Sequence, residues 1–356
     1  MRSVYTEACV VLVLESELLM STVNCTNEER LMRITCSSWL RRLWTYQEGV
    51  LARKLFFQFK ERAVSMEELW DPILNGSVYD RFSNGIALQG SRFYETLLRV
   101  KDYNAPSRFL SLLDALQWRQ TSKTRDECIC IAALFELNID QILNAPDESK
   151  FKKLLEMQRV FIKGILFLSG PKMTEEGYGW APLAMMKRRG TEVLQLVINS
   201  TLQEVHAHWT CDGLLGEWYG FELMSTATSF LPETILLSCL TNSKQYIISR
   251  ATEANAKDKI EWTKVGPHAY KNAAIVLEAP PKGIGGKHTC LAVLVELRRK
   301  NLGIWYAKYK CRMVVKEYEE EDATSYKWGL DRASCRAVLR DDGVEQMHHG
   351  YPWCIM

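Results

Sequence analysis

Six consecutive apolar residues, Cys9 to Leu14 (CVVLVL), constrain this chain more than any other stretch. A run so short and continuous reads as a strand buried on both faces, as in a parallel sheet covered by helices. Leu55 to Phe59 (LFFQF) reads the same way. Between them, Ser37 to Ala52 carries a helical stripe. Leu40, Leu43, Trp44, Gln47 and Leu51 recur at helical spacing, with Ser37 or Ser38 placed to cap. Gly49 weakens the end of that helix by about 1 kcal/mol relative to alanine. Strand, helix, strand is the crossover unit of a parallel sheet. A buried strand at residue 9 needs neighbours, and Arg2 to Ala8 is too short to supply them. The expectation is therefore the later part of a larger domain, N-terminally truncated.

Residues 65–168 read as helical. Ser65-x-x-Glu68 and Thr124-x-x-Glu127 have the form of capping boxes. Ser107 to Trp118 and Asp126 to Leu137 read as a helical pair, and Phe151 to Leu168 as a third helix. After Gly170-Pro171 the runs become β-like: Val193–Ile198, Tyr219–Leu223, Thr234–Leu240, Tyr246–Arg250, Ala273–Glu278, Cys290–Leu297 and Ile304–Val315. Lys282 to Lys287 (KGIGGK) reads as a hairpin loop. The expected fold class is α/β plus β: a partial parallel-sheet unit over 1–60, a helical region packed on it over 61–180, and a mainly antiparallel β-domain over 190–330. The loop from Gly177 to Gly190 is the expected boundary, and 331–356 reads as a patternless tail.

Several function classes are disfavoured. A formal charge of +2 gives no global field for nucleic acid, so no nucleic-acid partner is expected. Lys187-Arg188-Arg189 and Arg298-Arg299-Lys300 read as solvated element ends. No apolar run approaches the roughly 20 residues of a membrane span. Eleven cysteines, with no C-x-x-C pair and several inside apolar runs, read as free thiols in a reducing cytoplasm. Cys128 and Cys130 lie in an apolar helix that disfavours a thiolate. His206, His208 and Cys211 could face one metal, but a fourth ligand of suitable spacing is missing, so no metal is expected. There is no G-x-S-x-G elbow, and Lys287 is followed by histidine, so Lys282 to Lys287 is not a phosphate loop. Asp126-Glu127 is explained by its place at a helix start, and Trp180-Ala181-Pro182 by a loop anchor.

The order of four segments carries a resemblance. "MRSVYTEACVVLVL", "SSWLRRLWTYQEGVLARKLFFQF", "RQTSKTRDECICIAALF" and "GILFLSGPKMTEEGYGWAP" resemble fungal HET (heterokaryon incompatibility) proteins. Met1, Val4, Tyr5 and Ala8 stand for that family's M-x-x-I-Y-x-x-A segment. Arg42, Trp44, Thr45, Gln47 and Glu48 stand for its R-x-W-T-x-Q-E segment. The resemblance covers residues 1–60 well and 107–182 in part. Two departures stand out. The family's G-Y-x-W-G-type opening strand and W-I-D-x-x-C-I-x-Q segment are absent, and Glu15-Ser16-Glu17 replaces the usual W-L-G.

The resemblance implies self/non-self recognition and a cell-death response. Both would be triggered by protein partners (recognition or cell-death proteins, self-association included). HET domains are also distantly similar to TIR domains, whose W-C-x-x-E helix supplies a catalytic glutamate for NAD hydrolysis. That similarity makes Glu48 the candidate catalytic carboxylate and NAD the candidate substrate, with no cofactor. A carboxylate can stabilise the oxocarbenium-like transition state, hold ribose hydroxyls or activate water. Trp44, one turn earlier, and Arg41, two turns earlier on the same line, are the candidate pocket residues. The residues also admit a structural network, with Arg41 or Arg42 paired to Glu48 or Glu61, and Trp39 and Trp44 in the core. An inactive, decayed paralogue is the third reading. It would show an exposed edge beside the Cys9–Leu14 strand.

Overall fold

A computed structural model describes residues 2–69, 112, 115–116, 119–186, 206–226, 234–239, 245–251, 272–278, 289–318, 331–337 and 351–356. Two units divide the chain: residues 1–158 with 184–187, and 159–183 with 188–356.

The first unit opens with α1 (Arg2–Glu7), β1 (Val11–Val13), α2 (Ser16–Leu19), α3 (Asn27–Cys36), α4 (Ser38–Arg41) and α5 (Leu43–Leu51). Then come β2 (Leu55–Gln58) and β3 (Ala63–Ser65). β1 and β2 are parallel, with Val11 opposite Leu55, and β3 adds antiparallel to β2. The crossover unit is present. The expected burial of β1 on both faces is not. Val13 is 3% exposed, whereas Val10, Leu12 and Leu14 are 49%, 46% and 65% exposed. β1 pairs with β2 alone among the described residues, so it is an edge. An apolar run reports preference for the strand, and its neighbours decide its burial.

The stripe from Ser37 to Ala52 is two helices rather than one. Arg42 is extended (φ −77, ψ 138). Leu43 N donates to Gln120 O at 2.9 Å, and Gln120 N donates to Arg41 O at 2.6 Å. Helical periodicity persists through the break, so local sequence does not reveal it. Further α-helices among the described residues are α6 (Arg125–Leu134), α7 (Ile139–Leu143) and α8 (Lys150–Gln158). Asn138 Oδ1 caps α7 by accepting from Asp140 N at 3.1 Å. Most of the expected Ser107–Trp118 helix lies outside the described residues. The expected helix from Phe151 to Leu168 stops at Gln158, because Arg159 turns left-handed (φ 58) and Val160 to Ile162 pair with another strand.

That strand opens the second unit: β4 (Val160–Ile162), then a 3-10 helix (Lys163–Phe167) and β5 (His206–Thr210). There follow β6 (Gly213–Thr226), β7 (Thr234–Cys239), β8 (Gln245–Arg250), β9 (Ala273–Leu277), β10 (Thr289–Asn301), β11 (Ile304–Glu317), β12 (Asp331–Ala337) and β13 (Tyr351–Ile355). The sheet is mainly antiparallel. Its pairings run β6–β9–β10–β11–β8–β7–β12, and β12 pairs with β6 again, which closes the ring. Closure leaves no free edge in that circuit. Phe221, Tyr246, Ile275, Leu294, Met313 and Val315 fill one buried cluster. The expected runs at 234–240, 246–250 and 273–278 coincide with β7, β8 and β9 to within a residue at their ends, whereas those at 219–223, 290–297 and 304–315 fall inside the longer β6, β10 and β11. Val193–Ile198 and Lys282–Lys287 lie outside the described residues.

The segment read as a patternless tail supplies two strands. β13 lies between β6, antiparallel, and β11, parallel. Trp353 and Ile355 are 0% exposed. Gly220 on β6 makes room for it: a Cβ there would meet the Trp353 ring at 2.7 Å.

Glu278, just past β9, is buried, and burial pushes its carboxyl up to about 7 against the partial pull of Arg312. Between the ordinary value of 4.5 and about 7 the folded chain holds a proton that the unfolded chain releases. Stability from this group is therefore lost as pH rises through that window, by on the order of 2–3 kcal/mol. Denaturant unfolding at pH 5 and pH 8 should show the loss in wild type and a flatter profile in Glu278→Gln. Equal slopes in the two proteins would contradict it.

Candidate functional site

α5 buries Leu43, Tyr46 and Val50 on its core face. Trp39, on α4, packs its ring edge-on against Phe57 of β2, with centroids 5.4 Å apart. Such a pair adds about 1 kcal/mol to the burial itself. Glu48 is half-buried at the rim of this core. Tyr5 Oη donates to its Oε1 at 3.3 Å, and Trp39 Nε1 donates to its Oε2 at 3.4 Å. Burial raises the Tyr5 phenol above its ordinary value, and the charge and hydrogen bond of Glu48 add to the rise. Beside Glu48, Gln47 is 1% exposed, and its Oε1 has no partner among the described residues.

Of the two expected pocket residues, Trp44 shares α5 with Glu48 and Arg41 does not. Trp44 sends its indole N–H to Asp126 Oδ2 at 3.0 Å, so its polar end points toward α6. Arg41 precedes the break at Arg42, so the two-turn line to Glu48 does not exist. It is exposed and donates from Nη2 to Cys36 O at 2.9 Å. Arg42 has an exposed side chain 4.0 Å from Glu15. Glu61 accepts from Val23 N at 2.7 Å, which lowers its carboxyl below the ordinary range.

Beneath the site lies a group that the spacing of residues does not announce. Arg119 is 3% exposed and donates from Nη1 to Arg42 O at 2.8 Å and to Thr45 Oγ1 at 3.1 Å. Its guanidinium stands 4.7 Å over the Tyr46 ring. Burial brings its pKa down to about 10, opposed by Tyr46, Cys130 and Glu48. Thr45 Oγ1, with one proton to give, lies within donor reach of both Arg42 O, at 2.7 Å, and Trp39 O. The motif residues Arg42 and Thr45 thus set the break that places Trp39 and Glu48 together.

The other candidates are accounted for structurally. Thr124 makes no side-chain cap, and Glu127 is buried with Oε1 accepting from Met186 N at 2.9 Å. Burial pushes the Cys128 and Cys130 thiols up to about 12. His206 and His208 sit on β5 opposite Ile162 and Val160. Among the described residues, no group of three or more His, Cys, Asp or Glu could hold a metal ion. Trp180 is 0% exposed and donates to Gly177 O at 2.9 Å, an anchor for its loop. Among the described residues, no helix is long and apolar enough to cross a membrane.

Chemically, the site offers a half-exposed carboxylate oriented by two neutral aromatic donors, Tyr5 and Trp39. Such a set can accept hydroxyl groups and stabilise positive charge. No family model, curated protein or solved structure matches the chain.

Proposed function

We propose that this chain is a HET-like recognition and cell-death signalling protein that acts by adding a partner protein's strand to the open edge of β1. The observation that supports this reading is the edge itself. β1 pairs only with β2 among the described residues, and Val10, Leu12 and Leu14 around it are exposed. Cys9 to Leu14 holds no charge and no proline, the usual means of blunting an edge. A strand added there gains main-chain hydrogen bonds and covers apolar side chains. An inactive paralogue would have the same edge, so expression in a filamentous fungus separates the two readings. Wild type should lower colony viability at least tenfold, and Leu12→Lys should restore it. Full viability with wild type would favour the inactive reading.

A second reading is NAD hydrolysis at Glu48. What favours it is the half-exposed carboxylate with both oxygens oriented by Tyr5 and Trp39.

A further inference from the structure

The hairpin of β10 and β11 ends in the two-residue turn Leu302-Gly303, with φ of 48 and 77. Two positive φ values in succession describe a type I′ turn, which favours Asn-Gly or Asp-Gly. Leucine is an uncommon residue in that left-handed conformation. Leu302 is also 93% exposed, so no packing offsets the strain. An apolar side chain held at a strained, exposed tip calls for a use outside the fold.

Behind the tip on β10 stand Arg298, Arg299 and Lys300, with Lys308 and Lys310 farther back on β11, all exposed. Two carboxylates answer them in part. Glu296 bridges Arg298 at 3.2 Å and also Lys310, and Asp212 lies 3.9 Å from Arg299. Among the described residues, the surface keeps a positive excess. We propose that this tip docks on an anionic lipid bilayer, with Leu302 entering the interface and the cations meeting the headgroups.

Three observations favour a bilayer over a single-stranded nucleic acid. Base stacking needs open aromatic faces. Here Arg299 covers Tyr306 at 4.3 Å, and Lys300 covers Trp305 at 5.3 Å. Trp305 also stacks on Trp353, with centroids 6.1 Å apart. A phosphate ligand alone leaves Leu302 without a role. An interfacial element, by contrast, combines an apolar tip sunk roughly 5–10 Å with cations above it. At about 3.4 Å per strand residue, Lys300 and Arg299 trail Leu302 by roughly 7–10 Å, the depth of the headgroups.

Co-sedimentation of the full chain with vesicles tests this. Wild type should bind phosphatidylcholine vesicles containing a third phosphatidylserine, weaken with added salt, and leave pure phosphatidylcholine vesicles unbound. Leu302→Asn, which suits the turn better, should keep or raise the melting temperature and lower the bound fraction at least fivefold. Leu302→Phe should bind like wild type, and Arg298→Ala with Lys300→Ala should lose binding. Absence of wild-type binding to the anionic vesicles would overturn the proposal. So would Leu302→Asn binding as wild type, or a single-stranded oligonucleotide displacing the vesicles at equal charge.

Discussion

Replacing Trp353 with alanine is expected to destabilise the second unit by about 4 kcal/mol. The side chain is 0% exposed and donates from Nε1 to Trp218 O at 3.1 Å. It stacks on Trp305 and fills the space that Gly220 leaves open. Truncation would lose that contact area, leave a cavity between β6 and β11, and strand a buried carbonyl. β13 has only five residues and pairs with both of those strands, so losing its central anchor should also free the strand. Thermal unfolding read by circular dichroism would show the drop, and Trp353→Phe should recover most of it. A loss below about 1 kcal/mol would mean that β13 does not hold the sheet together.

Glu48→Gln carries the largest expected effect in the first unit, and its two consequences can be measured separately. Glutamine keeps the shape and one acceptor oxygen, and the hydrogen bonds it replaces are long, at 3.3 and 3.4 Å. Stability should change by less than about 1 kcal/mol. Removing the charge should lower the Tyr5 pKa, since Glu48 adds to its rise, while burial keeps it above the ordinary value. Ultraviolet titration of wild type against Glu48→Gln reads this shift directly. Under the NAD-hydrolase reading, turnover should fall at least about a thousandfold, because the group that stabilises developing positive charge is gone. Wild-type turnover matched by Glu48→Gln would remove Glu48 from the chemistry while leaving the Tyr5 result intact.

The residues disclosed some elements much better than others, and the reasons are physical. β6 to β11 were legible because each is a run of β-branched and aromatic residues bounded by breaks. β13 (YPWCI) was not, since five residues with Pro352 carry little pattern and take their strand from β6 and β11. The break at Arg42 depends on Gln120 and Arg119, more than seventy residues away, and helical periodicity runs on across it. Glu48 was legible as a carboxylate at the rim of a core helix. Its partner Tyr5 is 43 residues away in sequence, and spacing cannot reveal such a contact. The placement of Arg41 fails because it extends an ideal helix through Arg42, where the chain breaks it, whereas Trp44 and Glu48 do share α5. The apolar run at Cys9 to Leu14 identified a strand, but its exposure depended on which neighbours it has.

The exposed edge of β1 can be measured directly. A photo-activated crosslinking residue placed at Leu12, 46% exposed on β1, reports what covers it in living fungal cells. The same residue at Met20, 82% exposed and just beyond α2, serves as the control. Docking at this edge should give covalent adducts to a discrete protein, or to a second copy of this chain, from position 12 and not from position 20. Equal labelling at both positions, or none at position 12, would contradict it.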